Sequence, residues 1–272
     1  MSKLLGTVLA AKLALTTALP VMAHEFWIDP AEFSVSSGQN LVADIRVGQE
    51  FNGTALSYVP RNFSRFEVAM GDTLTPVEGR MGDRPPLNIP APATGLAVVL
   101  YETTDSVVNY SEWALFERFV THKGFEGVLE RHRARGLPDD HFSELYTRHV
   151  KSLIAVGDGA GQDQAFGLRT EFVALANPYT DDLSAGMPML LLLDGAPRAM
   201  AQVELWDRPP EGDVSVTVHH TDAEGRVLLP VEPGHVYMAD AVTMAEIEPV
   251  APRNAVWRSI WASLTFEVPP MD

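Results

Sequence analysis

Residues 187–195 read Met187-Pro188-Met189-Leu190-Leu191-Leu192-Leu193-Asp194-Gly195. An apolar run of this length, closed by an Asp-Gly turn, describes a strand buried on both sides. The same texture continues downstream in Ala199–Trp206, Val214–His220, Arg226–Val231, Gly234–Met244 and Val256–Val268. Turn signals separate these runs at Pro209-Pro210, Asp222-Ala223-Glu224-Gly225 and Pro233-Gly234. Upstream, Phe166–Ala176 reads as a strand that Asn177-Pro178-Tyr179 stops. Short strands at this spacing predict a β-sandwich over residues 177–272, with a domain boundary near Asn177.

The preceding half, residues 24–176, is predicted to be a second β-sandwich-like domain. Phe26–Phe33, Leu41–Val47, Phe63–Met70, Thr73–Val77 and Leu96–Thr103 read as strands, with Gly71-Asp72 as a hairpin turn. Residues 79–95, rich in Gly, Pro, Asp and Arg, read as an irregular loop. From Asn109 the period changes. Trp113, Phe116, Phe119 and Val120 recur at helical spacing behind a Ser111 cap, and Val128, Leu129 and His132 form a second short helix ending at Gly136. Phe142, Leu145, Tyr146, His149, Val150 and Leu153 predict a third helix after Pro138. The fold class is therefore mainly β, with a helical insert over about residues 110–155 late in the first domain.

Composition narrows the chemistry. The chain has 272 residues, no cysteine, 20 basic against 36 acidic residues and 8 histidines. Without cysteine there are no disulfides, thiolate zinc sites, iron–sulfur clusters or cysteine nucleophiles, so a metal site must use imidazole, carboxylate, amide or amine ligands. A net charge of −16 argues against nucleic-acid binding, which needs basic faces to displace counterions. The motifs of α/β-hydrolases, dinucleotide-binding folds, P-loops, HExxH zinc enzymes and EF-hands are all missing.

Residues 1–23 read as a secretory signal peptide. Lys3 supplies the positive start, Leu13–Leu19 the apolar stretch, and Val21-Met22-Ala23 the small residues of a cleavage site. No later segment has the uninterrupted apolar run of a membrane span, so an exported protein, periplasmic or secreted, with no integral membrane segment after cleavage is expected. The mature chain loses two lysines and carries a net charge of −18. Cleavage after Ala23 makes His24 the N-terminus, where an α-amine and a ring Nδ1 together chelate one ion; copper(II) and nickel(II) suit such nitrogen sites.

Several stretches resemble the bacterial DUF4198 family, once grouped under nickel-uptake names. They are His24-Glu25-Phe26-Trp27 after the cleavage site, Tyr146-Thr147-Arg148-His149-Val150-Lys151-Ser152-Leu153, Asn177-Pro178-Tyr179 with Asp194-Gly195-Ala196-Pro197, Thr221-Asp222-Ala223-Glu224-Gly225-Arg226, and the closing Trp257–Phe266. The resemblance implies an exported two-domain protein whose second domain is immunoglobulin-like. For function it implies only an association with nickel or cobalt transport.

The expected metal ligands are His24 first, then His149 on the inward face of the third helix, and His219 or His220 at a strand end, where neighbours face opposite sides. Glu25 is expected to point away from its neighbour, Lys151 to be a solvated or structural charge, and His122, His132 and His141 to lie on a solvated helix surface; His235 reads as surface. Trp257 and Trp261 should share one face of a strand and pack a core. The leading expectation is a non-enzymatic protein that binds Ni, Co or Cu as divalent ions and serves an inner-membrane metal transporter. Two alternatives stay open: a copper histidine-brace oxidative enzyme, and a metal-free β-sandwich interaction module.

Overall fold

The computed structural model describes residues 24–249 and 254–271; the signal-peptide reading of residues 1–23 lies outside them. In chain order the strands before the helices are β1 (Glu25–Pro30), β2 (Ser34–Val35), β3 (Asn40–Gln49), β4 (Asn52–Leu56), β5 (Phe63–Met70), β6 (Thr73–Pro76), β7 (Leu87–Pro90), β8 (Gly95–Thr103) and β9 (Ser106–Tyr110). Helices α1 (Trp113–His122) and α2 (Val128–Ala134) follow. Then come β10 (Phe142–Val156), β11 (Thr170–Ala174), β12 (Met187–Leu193), β13 (Ala196–Pro197), β14 (Gln202–Arg208), β15 (Ser215–His220), β16 (Arg226–Leu229), β17 (Val236–Glu246) and β18 (Ala255–Glu267). The chain is mainly β, as its short apolar runs predict.

A ten-stranded sheet runs β15-β14-β17-β18-β10-β8-β5-β6, with β2 and β9 also pairing β10. Two four-stranded sheets flank it: β1-β3-β4 with β7, and β11-β12-β13 with β16. Strands from both sides of Asn177 share the large sheet, because β18 pairs in parallel with β10 from Ser143/Ala255 to Ser152/Thr265.

Strand alternation sorts the large sheet's side chains onto two covered faces. One face presents Val98, Leu100, Leu153, Val203, Leu205, Ala239 and Leu264 to Phe172, Met189, Leu191 and Leu229 of the β11–β12–β16 layer. The other presents Ala97, Val99, Tyr101 and Val150 to Phe26, Ile28, Leu41 and Ile45 of the β1–β3 layer. Farther along this second face, α1 and α2 cover Trp257 and Trp261 with Phe116, Phe119 and Val128. The two tryptophans thus share a buried cluster, as their spacing predicts.

The helical insert is shorter than expected. The third helix, predicted from Phe142, Leu145, Tyr146, His149, Val150 and Leu153, is instead the strand β10. Residues 149–156 are buried without a break, because β10 sits mid-sheet with a layer on each face. Burial on both sides erases the period of two that would mark a strand, and leaves a helix-like coincidence in the apolar positions. His149 accordingly sits on a strand. Helix α1 starts behind Glu112, whose side chain makes no capping bond, rather than behind Ser111. The loop expected over 79–95 contains β7, and β4 and β9 are additional short strands whose half-exposed, polar residues hide their alternation.

Lys151 is not solvated. Its side chain is fully buried on β10, its Nζ 2.7 Å from Asp163 and 3.2 Å from Glu171, and it also donates to the carbonyls of Gln164 and Phe172. The two carboxylates accept backbone N–H bonds from Phe166, Leu168 and Ala174, so one ammonium anchors the loop that leads into β11. Removing the ammonium leaves two buried carboxylates facing each other. Lys151→Met is expected to destabilise the fold by about 3–5 kcal/mol, measured by urea unfolding of wild type and variant.

Candidate functional site

Helix α1 ends at the large sheet. His122 fills its last turn, Lys123 caps it, and Gly124 turns the chain with φ of +64°. The positive φ of Gly124 favours glycine, and a Cβ there would lie 2.5 Å from Gln202 Oε1 and push that side chain aside. Gln202 in turn donates to the carbonyl of His122 at 2.9 Å. Two basic side chains are thereby held where the helix dipole is negative.

They meet three acids. Lys123 Nζ lies 2.9 Å from Glu204 of β14, 3.0 Å from Asp240 of β17 and 3.6 Å from Glu25 of β1, and all four residues are buried. His122 Nε2 lies 3.3 Å from the other oxygen of Glu204. The ammonium also sits 4.9 Å from the centre of the Trp261 ring. Burial pushes the Glu25 carboxyl up to about 7, opposed by Lys123. For Glu204 burial acts in the same direction, but the hydrogen bond from His122 and the Lys123 charge outweigh it and hold the group below its ordinary value. The Glu204 bond raises His122 in return. Burial raises Asp240 against the pull of Lys123. For Lys123 itself the three carboxylates overcome desolvation and favour the ammonium.

Glu25, His122 and Glu204 each offer one ligand atom, and these atoms lie within 4.8 Å of one another. Glu25 Oε2 is shielded and has no hydrogen-bond partner among the described residues, and the same holds for Nδ1 of the preceding His24. Oxygen and imidazole donors in this arrangement suit a divalent cation of the first transition row.

The predicted ligands separate. His24 lies beside the cluster at the head of β1, and its carbonyl accepts from Arg148 at 2.9 Å. His149 is buried on the opposite face of the large sheet, its Nε2 3.6 Å from Glu102. His219 pairs with Val203 and turns with it to that opposite face, bonding Thr217 at 2.8 Å. His220 pairs with Gln202, two residues from Glu204, and so shares the face of the cluster. His122 stays exposed on the helix, as expected, while its Nε2 turns to Glu204. His132 does not: it is fully buried, accepts from Trp257 Nε1 at 2.9 Å and donates from Nε2 to the Pro138 carbonyl at 2.9 Å. Since indole only donates, the proton of His132 is on Nε2, and this histidine is structural. His141 is exposed and His235 is paired with Asp207 at 2.7 Å.

Glu25, Lys123, Glu204 and Asp240 were not expected to meet. Glu204 and Asp240 carry a sequence signal, a lone carboxylate inside an apolar strand run, since such residues are rarely buried unless paired. Nothing around Lys123 marks it.

Residues 21–245 match the family model described as a domain of unknown function, DUF4198. The chain belongs to the DUF4198 family. No curated protein matches it. The matched span of this DUF4198 chain holds every acid and base of the cluster and stops before β18.

A second buried polar network ties β18 to that span. Glu144 accepts from Tyr110 at 2.7 Å and from the hydroxyl of Ser259, which itself accepts from Trp261 Nε1 at 2.9 Å. Burial pushes Glu144 up to about 7 from an ordinary 4.5, against the two hydroxyl bonds. The folded chain therefore keeps a proton between about pH 4.5 and about pH 7 that the unfolded chain releases, so this group lowers stability as pH rises through that window. Glu144→Gln is expected to flatten the decline, and the difference between wild type and variant should grow by about 3 kcal/mol across the window. Urea unfolding of both proteins at about pH 4.5 and about pH 7.5 measures it.

Proposed function

We propose that this chain is an exported, non-enzymatic protein that binds a divalent transition-metal ion, with nickel, cobalt and copper in view, and supports metal uptake or homeostasis. The convergence of Glu25, His122 and Glu204 carries the reading. Residues 1–23 act as the export signal and leave the protein periplasmic or secreted. Cleavage after Ala23 then adds the α-amine of His24 next to Glu25, and its shielded, unpartnered Nδ1 is the nitrogen that completes a chelate. An inner-membrane transporter is the recipient of the ion in this reading. Residues 177–272 form its immunoglobulin-like half: β12 and β16, joined by β11 from before Asn177, pack on β14, β17 and β18 through one continuous apolar core.

Lys123 has a defined part in this arrangement. Its ammonium neutralises the carboxylates when no ion is bound, and it competes with an incoming cation. Ion binding must overcome that charge, which favours ions that bind imidazole and amine nitrogen strongly over hard oxygen-seeking ones such as Mg²⁺.

Mass spectrometry of the exported chain is expected to show His24 as the first residue. Nickel and copper titrations followed by calorimetry should give one site per chain, weakened about tenfold or more in His122→Ala and in Glu204→Gln. Lys123→Met should lower the stability of the metal-free chain by about 3–5 kcal/mol and recover part of it on saturation with nickel, because the ion binds the folded state. A retained residue before His24 overturns the amine chelate. Affinities unchanged in both ligand variants overturn the site.

A further inference from the structure

The long strand β10 has a gap in its ladder. Its first residues, Phe142–Tyr146, pair with β9, and its last, Leu153–Val156, pair with β8. Between them the chain passes from β8 to β9 through Thr104 and Asp105 without a ladder to β10, and the hydroxyl of Thr103 accepts the backbone N–H of Arg148 at 2.9 Å instead. The gap opens onto a cavity of about 340 Å³, walled by the rings of Phe26, Tyr101 and Tyr146 and by Leu56, with Arg148 among its lining residues.

Arg148 is a half-buried cation on which Asp240 and Glu25 act only from beyond salt-bridge distance. Its guanidinium lies 5.2 Å from the Phe26 ring centre and 4.6 Å from that of Tyr146, and its Nη2 donates to the His24 carbonyl. Its Nε is shielded from solvent and has no hydrogen-bond partner, and no carboxylate among the described residues reaches salt-bridge distance. Asp105, also at the cavity, is held by both arms of Arg258 at 2.7 and 3.0 Å. A guanidinium faced by no carboxylate at contact distance can take an anion from the cavity, and its planar fork matches a carboxylate. The rings of Phe26, Tyr101 and Tyr146 favour a ligand with a flat apolar body, and the volume suits a small one.

We propose that this cavity binds a small organic carboxylate, its charge on Arg148 and its body against Phe26, Tyr101 and Tyr146. The cavity adjoins the Glu25–His122–Glu204 cluster, since Arg148 and Lys123 lie over the same Trp261 ring, but it has its own lining and needs no metal. Benzoate serves as the probe, titrated into the mature chain with a chelator present and followed by calorimetry and by the fluorescence of Trp261, whose ring centre is 5.7 Å from the guanidinium. Saturable binding is expected in roughly the high-micromolar to millimolar range, with inorganic phosphate a poor competitor. Arg148→Met should weaken benzoate about tenfold or more. Leu56→Trp, which fills the cavity and keeps Arg148, should do the same and decides the matter if the first variant does not fold. The proposal fails if wild type shows no saturable binding, if a folded variant binds benzoate as wild type does, or if phosphate displaces benzoate at equal concentration, which would mean that the site reads charge alone.

Discussion

A sheet of ten strands, apolar on both sides over most of its width, has to be covered twice, and that requirement organises this molecule. The β11–β12–β16 layer covers one face. The other face is too wide for the β1–β3 layer, and α1 and α2 cover the remainder. The seam between the two partial covers is where β1 begins and α1 ends. Buried acids from β14 and β17 lie under it, and Lys123 reaches them from above. The candidate metal cluster is a product of this incomplete cover, because only at a seam do side chains from two covering elements and the sheet beneath meet.

The electrostatics follow the same logic. A strongly acidic chain buries several of its cations, and two of them, Lys123 and Lys151, lie on opposite faces of the large sheet with more than one carboxylate each. Such pairs bring little net stability over an apolar replacement, but losing one partner is expensive. They fix how layers dock: Lys123 joins α1 to β1, β14 and β17, and Lys151 joins β10 to β11. Arg148 differs from both in having no carboxylate at salt-bridge distance among the described residues, and it sits where the β8–β9 side of the ladder is interrupted.

Strands with one exposed side, or with clear turn residues at their ends, were legible in the sequence. Met187–Leu193 and Phe63–Met70 have the bounds that their apolar runs predict. What failed was β10, where two covered faces leave no polar stripe and the spacing of Phe142, Leu145, His149 and Leu153 imitates a helix. Of the expected ligands, His24 adjoins the cluster only as the chain neighbour of Glu25, and its interest comes from processing rather than from spacing. Glu25 was discounted because neighbours on a strand point apart, yet it is the side chain of Glu25 that enters the cluster. His122 and Glu204 are 82 residues apart and meet only through the docking of α1 on β14, which no local pattern encodes. His149 and His220 were equal candidates in sequence; register and face separate them.

The last strand of the chain does not lie at an edge. β18 is inserted between β17 and β10, completing the middle of the large sheet from the final residues of the protein. Every earlier strand of that sheet therefore waits, in two unconnected groups, for a segment that follows them all in the chain. Ordering by such distant contacts is slow. Neither half of the large sheet is complete before β18 docks, so the two halves are expected to order together rather than one after the other.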